Sequence, residues 1–203
     1  DGPFDLVVGD ATAARNFKAA REWDLSFSGV LSAYEVDRIR QMALRVLYER
    51  DVASLLPRKS YLELHVGDGD YLDELPRALD GLVAAHAISA DEAALIMDRE
   101  CQGDRLQLGH VAFPHTITPV AASTFRLLAI MPDAPLRDGD EQIDLVVVTL
   151  ASQRLADKSS MFNYLFSVLH DAERARVRLP RTYEETVAFL GRDFGYVEEK
   201  SDE

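Results

Sequence analysis

His115 is the residue of this chain whose type and position best suit it for chemistry. It follows Pro114 at the end of a short apolar stretch, residues 105–116, RLQLGHVAFPHT. An imidazole at a strand end can lie half in water and be held by its neighbours, which suits a nucleophile working at neutral pH. Upstream, Asp98-Arg99-Glu100 ends a predicted helix and offers a cation for such a site. The alternative interpretation is a Pro-His dipeptide that only makes a turn.

The neighbours of His115 have structural interpretations as well. His110 lies five residues earlier, and strand alternation would place the two imidazoles on opposite faces unless a bulge or bend intervenes. A hydrogen-bonded structural histidine is therefore favoured for His110. For Arg99, the competing interpretation is an ion pair at the helix C terminus. Asp98 and Glu100 are expected to be solvated or paired with Arg99.

The composition favours a globular protein without a membrane span. The chain has 203 residues, enough for one large domain or two small ones, with 47% hydrophobic and 28% charged residues. No apolar run approaches the ~20 residues that span a bilayer, and no basic-then-apolar leader opens the chain. A single cysteine, Cys101, excludes an internal disulfide framework. No Cys/His spacing resembles a zinc site, so no metal is expected and a cytoplasmic location is predicted.

The chain is strongly acidic, with 35 acidic and 22 basic residues and a formal charge of −13. This charge opposes direct contact with nucleic acid or an anionic membrane. It would suit a basic protein partner. The alternative is that the acidity only keeps the surface soluble.

Hydrophobic periodicity divides the chain near residues 51–59, where a proline and a charged pair interrupt the pattern. The part before this boundary reads as a small α/β unit. Residues 142–151 are apolar on both faces and are predicted at the centre of a sheet. Capping boxes open the helices at Ser32 and at Ser89. The predicted strands are 4–8, 25–31, 61–66, 123–131 and 142–151, with one or two short strands in 105–113. The predicted helices are 11–21, 32–50, 72–83, 89–100, 158–169 and 182–190. Pro76 lies inside the third helical pattern and is expected to kink that helix or to restart it.

From about residue 53 to 192 the order of elements resembles the fructose/mannitol-type EIIA domain of the bacterial phosphotransferase system (PTS). The resemblance is carried by three segments and by the long apolar strand with the amphipathic helix after it. The segments are Leu55-Leu56, Asp98-Arg99-Glu100 and Val111-Ala112-Phe113-Pro114-His115. The resemblance implies an α/β fold with a mixed β-sheet of about five strands flanked by helices.

The first fifty residues are similar to the second half of a sugar-specific EIIB domain, through FDLVVGDA and LSFSGVLSAYEVDRI. The phosphorylated cysteine of that family sits on a loop that this chain does not contain, and Cys101 is not assigned that role. We expect an EIIB-like α/β segment at 1–51, an EIIA-like domain at 52–195 and a disordered tail at 196–203. This order resembles the C-terminal end of PRD-containing transcriptional regulators of the BglG or mannitol-operon type. The chain is accordingly interpreted as a piece of such a regulator.

The EIIA resemblance implies a phosphotransfer role. In that family the phosphohistidine of the carrier HPr passes its phosphoryl group to a histidine, which hands it to EIIB or uses it as a signal. His115 would be the phosphoryl acceptor, and Arg99 would stabilise the phosphate as a forked donor. His110, Thr116 and Ser160 are secondary candidates. No metal and no cofactor is implied, and the expected partner is HPr or an EIIB-type phosphocarrier.

Two departures from the EIIA pattern favour regulation over transport. Members active in transport usually carry a small polar-glycine pattern before Pro-His, where this chain has Leu108-Gly109-His110. They also carry a second histidine at the start of the helix after the long strand, where this chain has Lys158-Ser159-Ser160-Met161. We therefore expect slow or regulatory phosphorylation in a sugar-responsive regulator. An EIIA phosphocarrier of sugar transport and a homodimerisation module with an inert His115 stay open as alternatives.

Overall fold

The computed structural model of the chain divides into two compact units, Asp1–Arg50 and Asp51–Glu203. It describes residues 8–10, 25–27, 31–103, 105–119, 124–154 and 158–194. The predicted helix 11–21 and the predicted disordered tail lie outside the described residues. Among the described helices, none combines the length and the apolar character that a membrane span requires.

The first unit contains two short parallel strands and a long helix. Strands β1 (Val8–Asp10) and β2 (Leu25–Phe27) pair in parallel, and helix α1 spans Ala33–Arg50. The Glu35 amide donates to Ser32 Oγ at 3.2 Å, and the Ser32 amide donates to Glu35 Oε2 at 2.7 Å. This reciprocal pair is the predicted capping box, which satisfies two backbone donors at the helix start.

A mixed sheet forms the centre of the second unit. Its strands are β3 (Tyr61–Leu64), β4 (Gln107–Leu108), β5 (Val111–Ala112), β6 (His115–Thr118), β7 (Phe125–Pro132) and β10 (Leu145–Ser152). The order is β3-β7-β10-β5-β4, and β6 also pairs with β10. The β7–β10 pair is antiparallel, whereas β10 is parallel to both β5 and β6. Six strands therefore occupy five positions, which confirms the predicted mixed sheet of about five strands. Strands β8 (Leu136–Asp138) and β9 (Glu141–Ile143) form a separate antiparallel pair.

Helices cover the sheet. They are α2 (Val52–Leu55), α3 (Tyr71–Ala84), α4 (Ala90–Cys101), α5 (Lys158–Arg174) and α6 (Tyr183–Leu190), with a 3-10 turn at Arg58–Ser60. Every residue of β10 is buried, as expected for the predicted central strand. Val146, Val148 and Leu150 belong to one hydrophobic cluster with residues of α3 and α4. Because side chains alternate along a strand, Val147 and Thr149 point to the opposite face of the sheet.

The two helices on the cluster side begin with side-chain caps. Asp70 accepts the amides of Leu72 and Asp73 at the start of α3, and Ser89 and Glu92 form the predicted capping box of α4. Pro76 was predicted to kink its helix or to restart it. It lies inside α3, which runs unbroken from Tyr71 to Ala84, so the restart is wrong. Helix α4 ends at Cys101 and thereby carries Arg99 in its last turn.

Candidate functional site

His115 opens β6, directly after the break that separates β6 from β5. Pro114 has no amide hydrogen to donate, while its carbonyl accepts the Thr149 amide at 2.9 Å. The register is the same on both sides of the break, because Val111 lies opposite Leu145 and His115 opposite Thr149. The alternation of side chains is therefore kept, and His115 shares a sheet face with Thr149.

Arg99 fixes the protonation of the His115 ring. Nη2 of Arg99 lies 2.8 Å from Nε2 of His115. A guanidinium group has donors only, so Nε2 accepts this hydrogen bond and carries no proton. The proton of the neutral ring then sits on Nδ1, which lies 3.4 Å from the Phe113 carbonyl oxygen, at the long end for a hydrogen bond. The site thus presents a neutral imidazole whose nucleophilic nitrogen contacts a permanent cation.

Two aromatic rings hold the plane of the His115 imidazole. Phe113 stacks on it with centroids 6.0 Å apart, and Phe162 of α5 meets it edge-on at 5.5 Å. Ile117, on the same strand, is 48% exposed. The ring opens into a cleft of about 230 Å³ lined by Leu106, Phe113, His115, Phe162, Asn163 and Phe166. The site therefore has an apolar rim that faces solvent.

Glu100, the neighbour of Arg99, is part of a buried cluster on the other side of α4. Its side chain is only 3% exposed and accepts the Tyr71 hydroxyl at 2.8 Å. Burial raises the pKa of Glu100, against the lowering effects of the Tyr71 hydrogen bond and of Arg105. The expectation that Glu100 is solvated is therefore wrong, because the last turn of α4 points this carboxyl at the core.

Arg105 closes this cluster through a forked pair with a carboxylate. Its Nε and Nη2 donate to the two oxygens of Asp138 at 2.6 and 3.0 Å. Two parallel charge-assisted bonds of this kind are typical of a structural contact. The two arginines near the C terminus of α4 thus have different partners. Arg105 binds the carboxylate of Asp138, and Arg99 binds an imidazole nitrogen of His115.

The structure separates the secondary candidates from His115. His110 lies in the turn before β5, with its Nδ1 3.0 Å from a carboxylate oxygen of Asp144, and it lines a different cavity from that of His115. Because His110 is outside the strand, the predicted alternation between the two histidines does not apply to it. Thr116 is 9% exposed and, as the next residue in β6, points away from His115. The side chain of Ser160 lies outside the described residues. In the described ranges no group of three His, Cys, Asp or Glu side chains could hold a metal ion.

Two residues beside His115 were not identified as site residues from the sequence. Phe162 was assigned only to the inner face of its helix, and the pattern could not say which strand that helix covers. Thr149 ends a run of valines and reads as one more core position. Its place opposite His115 depends on the register between β6 and β10, which no local pattern reports.

Comparison of sequences gives a partial match to a regulatory protein. No protein-family model matches the chain. Over 94 residues the chain is 35% identical to a frv operon regulatory protein of Escherichia coli strain K12. The match covers 45% of this chain and 16% of that protein. The similarity agrees with the predicted resemblance to a large regulator, of which this chain spans only a small part.

Comparison of structures gives the fold. The nitrogen regulatory protein IIA-Ntr of Neisseria meningitidis is similar with a TM-score of 0.51 and 19% identity, over 68% of this chain and 98% of that one. The mannitol-specific cryptic phosphotransferase enzyme IIA CmtB of Escherichia coli gives 0.51 and 18%, over 70% and 98%. A PTS IIA protein (PtxA) of Streptococcus mutans gives 0.50 and 14%, over 77% and 97%. The chain has the fold of PTS EIIA domains, which confirms the predicted resemblance at the level of the fold.

Proposed function

We propose that Asp51–Glu203 is a regulatory EIIA-type module of a sugar-responsive transcriptional regulator, and that His115 accepts a phosphoryl group from an HPr-type phosphocarrier. The observation that supports this most directly is the 2.8 Å contact between Arg99 Nη2 and His115 Nε2. The EIIA fold and the sequence similarity to an operon regulatory protein support the same function.

The reaction is a transfer of a phosphoryl group between two imidazoles. The lone pair of His115 Nε2 forms the new N–P bond while the N–P bond of the donor phosphohistidine breaks. The electron pair of the broken bond stays on the donor nitrogen, and His115 Nδ1 keeps its proton. Arg99, already beside Nε2, shifts its donors to the phosphoryl oxygens and neutralises part of their charge. Arg99 therefore both orients the nucleophile before transfer and stabilises the product.

The rim of the site fits a protein partner better than a small substrate. Leu106, Ile117 and Phe166 are 40%, 48% and 40% exposed next to His115. Apolar side chains of this kind around a reactive group are typical of protein docking surfaces. The formal charge of −13 would steer a basic phosphocarrier, HPr or an EIIB-type protein, and would disfavour nucleic acid. Such partners place the module in the cytoplasm.

The residues around His115 favour a signal over rapid transport. Segment 158–161 at the start of α5 reads Lys-Ser-Ser-Met and offers no second imidazole there. A phosphoryl group on His115 would add up to about two negative charges beside the apolar rim. That change in charge would alter the contacts of this surface with the rest of a regulator.

Incubation with Enzyme I, HPr and phosphoenolpyruvate tests the proposal, with intact mass and phosphosite mapping of the wild type and of His115→Ala. We expect the mass of one phosphate on the wild type and none on the variant. The rate of return to HPr then separates a regulator from a transport phosphocarrier, which would return the group rapidly. No gain of mass under conditions that phosphorylate a known EIIA would contradict the proposal and would favour a non-phosphorylated dimerisation module.

A further inference from the structure

Thr149 has a hydroxyl group that the fold does not use. Its side chain is fully buried in β10, and Oγ1 has no hydrogen-bond partner within the described part of the chain. The three residues before it are Val146, Val147 and Val148. Valine has nearly the shape of threonine, and a buried hydroxyl without a partner is destabilising by about 1–3 kcal/mol. Packing alone would therefore favour a fourth valine at this position.

The hydroxyl lies beside the proposed phosphoryl acceptor. Thr149 is the register partner of His115 in parallel strands, so the two side chains are neighbours on one sheet face. Nδ1 is bonded to the ring carbon that carries Cβ, so it lies at the backbone side of the ring, where a register neighbour stands. Nε2 lies at the far side of the ring and contacts Arg99. Nδ1 lies 3.4 Å from the Phe113 carbonyl oxygen, so a closer acceptor would strengthen its hydrogen bonding.

We propose that Thr149 is a positioning residue for phosphoryl transfer: its hydroxyl oxygen accepts a hydrogen bond from Nδ1–H, which keeps its proton, as Nε2 bonds to phosphorus. This inference rests on the proposed function. During transfer the Nε2 lone pair enters the N–P bond, the ring becomes positively charged, and the Nδ1–H group becomes a stronger donor. An acceptor that binds this charged form better than the neutral ring stabilises the transition state. Rotation about χ1 of Thr149 would turn the hydroxyl oxygen toward Nδ1 and provide that acceptor. In histidine chemistry the partner of the second ring nitrogen commonly tunes the first in this manner.

The test uses Thr149→Val and Thr149→Ser in the full chain. The valine variant keeps the shape and loses the oxygen, whereas the serine variant keeps the oxygen and loses the methyl group. Thr118→Val is the matched control, because Thr118 is 1% exposed in β6 and its hydroxyl also has no partner among the described residues. Thr118 lies three residues from His115, so alternation places it on the opposite face of the sheet.

Two readouts separate positioning from folding. The first is the rate of phosphorylation by phospho-HPr. We expect Thr149→Val to be about tenfold slower, with Thr149→Ser and Thr118→Val within about twofold of wild type. The second is the ¹⁵N resonance of His115 Nδ1 after chemical phosphorylation with potassium phosphoramidate, which needs no carrier protein. We expect this resonance to move in Thr149→Val and to return in Thr149→Ser. The two valine variants should melt at or above the wild-type temperature, and Thr149→Ser, which loses a buried methyl group, should melt somewhat lower but stay folded at the assay temperature.

The outcomes for the two proposals are distinct. A wild-type rate and an unmoved Nδ1 resonance in Thr149→Val would overturn the role of Thr149. So would a serine variant as slow as the valine variant, since the methyl group would then be the important part. Failure of phospho-HPr to modify the wild type would contradict the proposed function instead, and the phosphoramidate experiment would still decide on Thr149.

Discussion

His110 and His115 flank the same short strand, yet one stands beside an anion and the other beside a cation. Nδ1 of His110 lies 3.0 Å from a carboxylate oxygen of Asp144, and the His110 side chain is 55% exposed. Nε2 of His115 accepts from Arg99 at 2.8 Å, in a half-buried position between aromatic rings. A phosphoryl donor carries negative charge, so Asp144 repels it and Arg99 attracts it. The charged neighbour therefore distinguishes the two imidazoles.

Substitution of each histidine in turn tests most directly whether His115, and not His110, accepts the phosphoryl group. We expect His115→Gln to abolish phosphorylation by phospho-HPr, because glutamine can still accept from Arg99 but has no nucleophilic nitrogen. His110→Gln is the matched control and should stay within about twofold of the wild-type rate. Initial rates with both variants at equal concentration check this. Phosphate on His115→Gln, or its loss from His110→Gln, would reverse the assignment.

The cation beside His115 gives the next largest expected effect. Arg99→Leu should slow phosphorylation by about 100-fold, since removal of one charged donor to a developing oxyanion typically has this magnitude. Arg99→Lys keeps the charge and loses the fork, so an intermediate loss of about tenfold is expected. Single-turnover rates with phospho-HPr measure both.

Arg105→Lys is the control for Arg99→Lys at the same end of α4. It breaks the forked contact with Asp138, so we expect a loss of stability of about 1 kcal/mol with an unchanged phosphorylation rate. Denaturant unfolding and transfer rates should therefore separate the two arginines. Equal rates for wild type and Arg99→Leu would show that the arginine beside His115 is structural, as Arg105 is.

A variant of Glu100 tests the buried cluster beside α4 separately from the site at His115, because it should change stability and not phosphorylation. Burial raises the pKa of Glu100 above its ordinary 4.5, so the folded chain holds this proton more tightly than the unfolded chain does. The resulting stabilisation is complete below pH 4.5 and is lost as the pH rises through the raised pKa. In Glu100→Gln this loss is absent, and glutamine can still accept from Tyr71. The stability of the variant relative to wild type should therefore increase as the pH rises from 4.5 to neutral.

Urea unfolding of wild type and Glu100→Gln at pH 4.5 and pH 7.5 measures this difference. Glu141→Gln is a suitable control, because Glu141 is exposed in β9. A gap between wild type and Glu100→Gln that does not change with pH would contradict the buried, proton-binding state of this carboxyl. The phosphorylation rate of Glu100→Gln should equal that of wild type.

The sequence predicted those features that local patterns determine. Both capping boxes and the buried central strand follow from spacings of three to ten residues, and the structure confirms them. The EIIA fold was expected from the family resemblance, and the similar solved structures confirm it. The alternation predicted between His110 and His115 does not apply, because His110 lies in the turn before β5. The burial of Glu100 could not be predicted, because it depends on how the last turn of α4 is rotated toward Tyr71. Thr149 and Phe162 meet His115 only through pairing and packing between segments that lie far apart in the chain.

Identification of the phosphorylated nitrogen by ¹⁵N and ³¹P NMR, on the chain phosphorylated by phospho-HPr, tests the central claim most directly. The hydrogen bond from Arg99 leaves the lone pair on Nε2 and the proton on Nδ1, so we expect phosphorus on Nε2 of His115. Phosphorus on Nδ1 of His115, or on another residue, would contradict the account. In either case the contact between Arg99 and His115 would be a structural hydrogen bond and would not orient a nucleophile.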